Sequence, residues 1–72
     1  MKTALLKLTN KVYELRNATG TTQEALADAV GVTRQTIIAI EKGNYTPSVA
    51  LALKLAKFFK KSVEEIFMYH EK

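Results

Sequence analysis

The chain has 72 residues, 47% of them hydrophobic and 25% charged, with three Gly and one Pro, the composition of a folded domain rather than a disordered or fibrous segment. This length predicts a single domain spanning 1–72 and excludes a second core. A domain of this size buries only ~60% of the surface its unfolded chain exposes, so a deep catalytic cavity is costly and binding through an outer face is expected. Eleven Lys and Arg against seven Asp and Glu give a net charge of +4, which favours a polyanionic partner, nucleic acid ahead of an anionic membrane surface.

With no cysteine and a lone imidazole at His70, near Glu65 and Glu71, neither a disulfide framework nor a metal site is expected, and no cofactor either. Apolar runs are short, and Lys7 interrupts Ala4 to Leu6, so a membrane span or secretory leader is not expected and the location reads as cytoplasmic. No nucleophile sits beside a base and no glycine-rich loop cradles a phosphate, which argues against an enzyme.

At the N-terminus, residues 3–8 alternate with Ala4, Leu6 and Leu8 on one face, as a strand would. Leu5, Leu8, Val12 and Leu15 also fit a helical spacing, and periodicity does not separate the two. Pairing of 3–8 with a second strand at 68–71 is preferred. A first amphipathic helix, about 10–18, starts on an Asn10 cap, carries Val12 and Leu15 inward, and stops at Thr19-Gly20. Thr21-Thr22-Gln23-Glu24 offers a capping box through Thr21 and Glu24 for a second helix, about 22–29, with Leu26, Ala27 and Val30 as its buried side.

Gly31 supplies a left-handed turn that a Cβ would penalise. Only Val32 separates it from Thr33, the cap of a third helix, about 33–41, anchored by Ile37 and Ile40. Lys42-Gly43-Asn44 ends that helix, and Tyr45-Thr46-Pro47 is a loop because the residue before proline avoids helical geometry. Ser48 caps a fourth helix, about 49–59, with Val49, Ala52, Leu55, Ala56 and Phe59 at helical spacing. Ser62-Val63-Glu64-Glu65 is a capping box for a single turn at 63–67. The fold class is therefore mainly α: five short helices with a small antiparallel sheet from the two termini.

A tight turn between the second and third helices describes a helix-turn-helix, whose second member enters the DNA major groove. Thr33, Arg34, Gln35 and Ile38 occupy the outer face of that helix near its N-terminus. Arg forks onto guanine O6 and N7, Gln pairs with adenine N6 and N7, and an apolar side chain meets the thymine methyl. Arg34, Gln35 and Ile38 are the expected base contacts. Lys54, Lys57, Lys60 and Lys61 form a basic run that reads as a solvated face with a long-range steering effect.

The strings Gln23-Glu24-Ala25-Leu26-Ala27, Gly31-Val32-Thr33-Arg34-Gln35-Thr36-Ile37, Ile40-Glu41-Lys42-Gly43 and Thr46-Pro47-Ser48 resemble the Cro and repressor (xenobiotic-response-element) helix-turn-helix family from about Val12 to Phe67. The resemblance implies that Gln23 and the backbone around Gly43, Asn44 and Tyr45 hold DNA phosphates; Thr33, a cap by its own chemistry, is a further expected phosphate contact. It further implies that Arg16 and Glu41 form an ion pair tying the first helix to the end of the third. Ile38 stands where the family often has a polar residue, which shifts the reading of bases toward Arg34, Gln35 and DNA shape. Short members of the family carry a terminal two-stranded sheet and act as homodimers on palindromic operators.

Phe58, Phe59, Ile66, Phe67, Met68 and Tyr69 place more apolar area near the C-terminus than a small core readily hides. Ile66, Phe67, Met68 and Tyr69 are the expected dimer interface. The leading expectation is thus a sequence-specific, homodimeric transcriptional regulator of the repressor type, with double-stranded DNA as partner. The alternative is a protein-interaction module, an antitoxin-like partner whose DNA contact is secondary.

Overall fold

The computed structural model describes residues 6–71, in the order β1 Leu6–Asn10, α1 Val12–Ala18, α2 Gln23–Val30, α3 Arg34–Glu41, α4 Val49–Phe59, α5 Val63–Ile66 and β2 Phe67–Glu71. Hydroxyl caps open four of the five helices: Thr22, Thr33, Ser48 and Ser62 accept the amides of Ala25, Thr36, Leu51 and Glu65. Each satisfies a backbone donor that has no partner inside its helix. At Ser62 the box is complete, because its own amide donates to Glu65 Oε1 at 2.8 Å.

Two helix starts differ from the expectation. The cap of α2 is Thr22, not Thr21, because Thr21 is already tied to α1: its amide donates to the Arg16 carbonyl at 2.9 Å and its own carbonyl accepts from Arg16 Nη1 at 3.0 Å. Helix α1 begins after Lys11, which has no side-chain capping bond. Asn10 belongs to β1, yet its Oδ1 still accepts the Val12 amide at 3.0 Å while Nδ2 donates to the Ile40 carbonyl at 2.8 Å. One side chain thereby pins the strand exit to α1 and to α3.

The two strands pair antiparallel in the register Leu8↔Tyr69, Thr9↔Met68, Asn10↔Phe67. The first strand lies later than its alternation suggested, running to Asn10; residues 3–5 of the expected strand fall outside those described. The ladder continues beyond Asn10, since the Lys11 amide donates to the Ile66 carbonyl at 2.9 Å, and that extra bond holds β1 extended up to the start of α1. Phe67 accordingly begins β2 instead of ending α5.

The core gathers Val12, Leu26, Ile37, Ile40, Leu55 and Ile66, all fully buried, from five helices. At ~1.5–3 kcal/mol for each large aliphatic side chain removed from water, this set dominates the stabilising side. Helix α4 faces the core through Leu51, Leu55, Ala56 and Phe59, whereas Val49, placed inward by its spacing, is 77% exposed. Val49 is the first residue of α4, and in that first turn it is Leu51 that faces the core. Gly31, at φ +75, makes the left-handed turn between α2 and α3. Its neighbour Val32 packs against the core, so the turn is fixed from both sides.

Candidate nucleic-acid interface

The helix pair α2 and α3 is joined by Gly31-Val32-Thr33, and what the pair presents follows from what it buries. Ile37 and Ile40 are fully buried and hold α3 from behind. Arg34 and Gln35, in its first turn, are exposed, and Ile38, one turn on, is half-buried. The α3 face opposite the core is thus polar at its N-terminal end and apolar toward its middle. Thr33 Oγ1 accepts the Thr36 amide at 3.3 Å and lies 3.1 Å from Thr36 Oγ1, leaving the hydroxyl at the exposed tip of the helix.

Three elements are locked behind this face by a single carboxylate. Glu41, at the end of α3, accepts from Arg16 Nε at 2.6 Å, from Arg16 Nη2 at 3.3 Å and from Gln23 Nε2 at 3.1 Å. Both side chains of the ion pair are largely buried. The hydrogen bonds that Arg16 donates to Glu41 raise the guanidinium pKa above its ordinary value, outweighing the opposing effect of burial. Arg16 also lies 5.5 Å from the centroid of the Tyr13 ring, a cation–π distance. This network joins α1, the first residue of α2 and the last residue of α3. The Gln23 link to Glu41 has no local sequence signal, since the two residues lie on different helices and meet only after the pair has packed.

Beyond α3, Gly43 turns the chain at φ +79, and Asn44 and Tyr45 follow, both exposed. The Asn44 amide is used by the helix end, donating to the Ala39 carbonyl at 2.9 Å. Among the described residues, the amides of Tyr45 and Thr46 make no hydrogen bond within the chain. A groove of about 440 Å³ lies between this loop and the ribbon, with Lys42, Tyr45 and Thr46 on one side and Leu8, Asn10 and Phe67 on the other.

The four C-terminal residues expected at a dimer interface are not equivalent. Ile66 is fully buried in the chain's own core; Phe67 and Met68 are half-buried, and Tyr69 is 65% exposed. Of Phe58 and Phe59, which meet edge to face at 5.1 Å, only Phe58 reaches the surface.

The helix-turn-helix family model matches residues 12–66. The chain belongs to the Cro/C1-type helix-turn-helix family. It is similar to the HTH-type transcriptional regulator YgzD of Bacillus subtilis, 55% identical over 62 residues that cover 86% of this chain and 94% of the relative. It is also similar to the CTXphi transcriptional repressor RstR of Vibrio cholerae, 35% identical over 57 residues, covering 79% of this chain and 51% of RstR. Among solved structures, the restriction-modification controller protein C.AhdI of Aeromonas hydrophila superposes with a TM-score of 0.71 at 34% identity, over 76% of this chain and 83% of that one. As a member of this family the protein is a DNA-binding transcriptional regulator, not a catalyst. No helix among the described residues is long and apolar enough to cross a membrane.

Proposed function

We propose that the protein binds a palindromic operator as a homodimer and represses transcription by occupying it. The observation that carries this reading is the division of α3 into a buried face, Ile37 and Ile40, and an exposed first turn, Arg34 and Gln35. A helix anchored in this way enters the major groove as a rigid unit, and only its outer side chains are free to meet base edges. Arg34 and Gln35 make the bidentate contacts, each contributing ~1–3 kcal/mol of discrimination, and Ile38 meets a thymine methyl.

Phosphates position the protein without reading sequence. Thr33 holds one at the tip of α3, where its hydroxyl and the helix N-terminus favour an anion. Gln23 holds another with the Nε2 hydrogen that its bond to Glu41 leaves free. Asn44 and Tyr45 hold the next, helped by the Tyr45 amide, which makes no hydrogen bond to the described residues. The structural part is left to Arg16 and Glu41. Phe67, Met68 and Tyr69 supply the surface for a second copy, while Ile66 supports them from the core. Two-fold symmetry then places two α3 helices ~34 Å apart, one turn of DNA. Repression is supported by the similarity to RstR, a transcriptional repressor.

The test is selection of bound duplexes from a random DNA pool at two salt concentrations, because phosphate contacts make affinity steeply salt-dependent. Enrichment of a two-fold-symmetric motif with half-sites about one turn apart is the expected result. Enrichment of no motif, with binding that vanishes at the higher salt, overturns it.

A further inference from the structure

The basic run along α4 is not one feature but two. Lys57 lies in the last turn of α4, Lys60 is its C-cap and Lys61 follows immediately. All three stand where cations complement the negative end of a helix dipole, and that accounts for them. Lys54 lies mid-helix and has no such role on α4.

Its ammonium instead reaches the turn between α2 and α3: a Cβ built on Gly31 would stand 4.0 Å from Lys54 Nζ. Among the described residues no carboxylate lies within 4.0 Å of this nitrogen, Asp28 in the last turn of α2 included, and it donates no hydrogen bond. The carbonyl end of α2 attracts a cation placed there. Thr33 follows Gly31 by two residues, at most ~7 Å along an extended chain. The ammonium therefore lies no more than about 13 Å from the Thr33 Cα, comparable with the Debye length of ~10 Å at ordinary salt.

We propose that Lys54 is a DNA phosphate ligand, reaching round the α2–α3 turn to the phosphate held by Thr33 at the tip of the recognition helix. This rests on the operator-binding reading above. Lys57, Lys60 and Lys61 act only through the general field.

The test measures the salt dependence of binding to a duplex recovered by the selection, for the wild type, Lys54→Gln, Lys54→Arg and Lys57→Gln, with the thermal midpoint of each. Neutralising one phosphate contributes ~0.9 to the slope of log K against log salt. Lys54→Gln is expected to flatten the slope by about 0.9 per protomer with its thermal midpoint near that of the wild type. Lys54→Arg and Lys57→Gln are expected to keep the wild-type slope. An unchanged slope in Lys54→Gln overturns the proposal, and a lowered thermal midpoint beside that unchanged slope assigns Lys54 to the turn alone. Equal flattening in Lys57→Gln also overturns it, since the effect is then one of net charge. Failure of the selection itself removes the operator reading and this contact with it, and is recognised in the wild type before any variant is compared.

Discussion

Glu41 is a single carboxylate holding three donors, and its loss is not equivalent to the loss of any one of them. Removing it leaves the Arg16 guanidinium buried without a counter-ion, a change that costs ~3–5 kcal/mol. Glu41→Ala is therefore expected to lower stability by that amount, measured by urea denaturation. Gln23→Ala, which deletes one donor and leaves the ion pair intact, is expected to cost only ~1 kcal/mol. Lys60 shows the opposite kind of local cost. It is a non-glycine residue in the left-handed region, at φ 58 and ψ 44, where an L side chain is penalised by ~1–2 kcal/mol. Lys60→Gly relieves that strain but loosens the unfolded chain, ~0.5–1 kcal/mol, and gives up the cation at the C-terminal end of α4, ~0.3–1 kcal/mol, so a urea midpoint close to that of the wild type is expected. At Gly31 the same physics reverses: Gly31→Ala meets no steric block but places a Cβ at φ +75, and the midpoint falls.

The helices are short, from four to eleven residues, and lengths like these are marginal in water without capping and packing. Their starts can consequently be titrated. The Ser62 backbone amide, donating to Glu65, holds the carboxyl below its ordinary value of 4.5, with Lys61 adding to the effect. A carboxyl whose folded value is depressed contributes stability that is present above its unfolded value and lost as pH falls through the lower, folded one. Thermal melts taken downward from above 4.5, the ordinary carboxyl value, should lose part of their midpoint in the wild type, and Glu65→Gln should remove that part of the dependence. Helix α3 carries the corresponding prediction for function. Arg34→Ala and Gln35→Ala alter only exposed positions, so their melting curves should match the wild type while operator discrimination falls by ~1–3 kcal/mol each, read by competition between the selected duplex and single-base variants. Normal discrimination by both variants would remove α3's first turn from the readout.

Over the whole molecule, a chain of this size has ~0.05–0.15 kcal/mol of stability per residue, and Leu55, fully buried beneath α4, illustrates how little that leaves. Leu55→Ala is expected to cost ~2–5 kcal/mol, a large share of the total. The terminal ribbon has two strands, and such a pair is marginal by itself. Here it is secured by Asn10, which bonds to Ile40, and by the Lys11 amide on Ile66. For the proposed homodimer, Tyr69, largely exposed on that ribbon, is the position at which the interface is tested without touching the core. Tyr69→Glu should leave the melting curve of a dilute sample unchanged, shift sedimentation toward the monomer and weaken operator binding by ~10²-fold or more, because the two half-sites are no longer engaged together.

Local chemistry alone determined the helix starts at Thr33, Ser48 and Ser62, the left-handed turn at Gly31 and the inward positions Leu26, Ile37 and Ile40. Caps, a missing Cβ and helical spacing act within a few residues, and the sequence displays them directly. The exposed pair Arg34 and Gln35 was readable for the same reason, and the Arg16–Glu41 pair through the resemblance of the surrounding strings to a known family. Tertiary structure decided the rest. It moved the α2 cap to Thr22 because Arg16 had claimed the Thr21 backbone, carried β1 to Asn10 because the ladder with β2 continues that far, and left Val49 outward because Leu51 fills the core side of the first turn of α4. It also brought Gln23 to Glu41 and Lys54 to Gly31. Those contacts join residues from separate elements, and no spacing along the chain encodes a distance that exists only once the helices have packed.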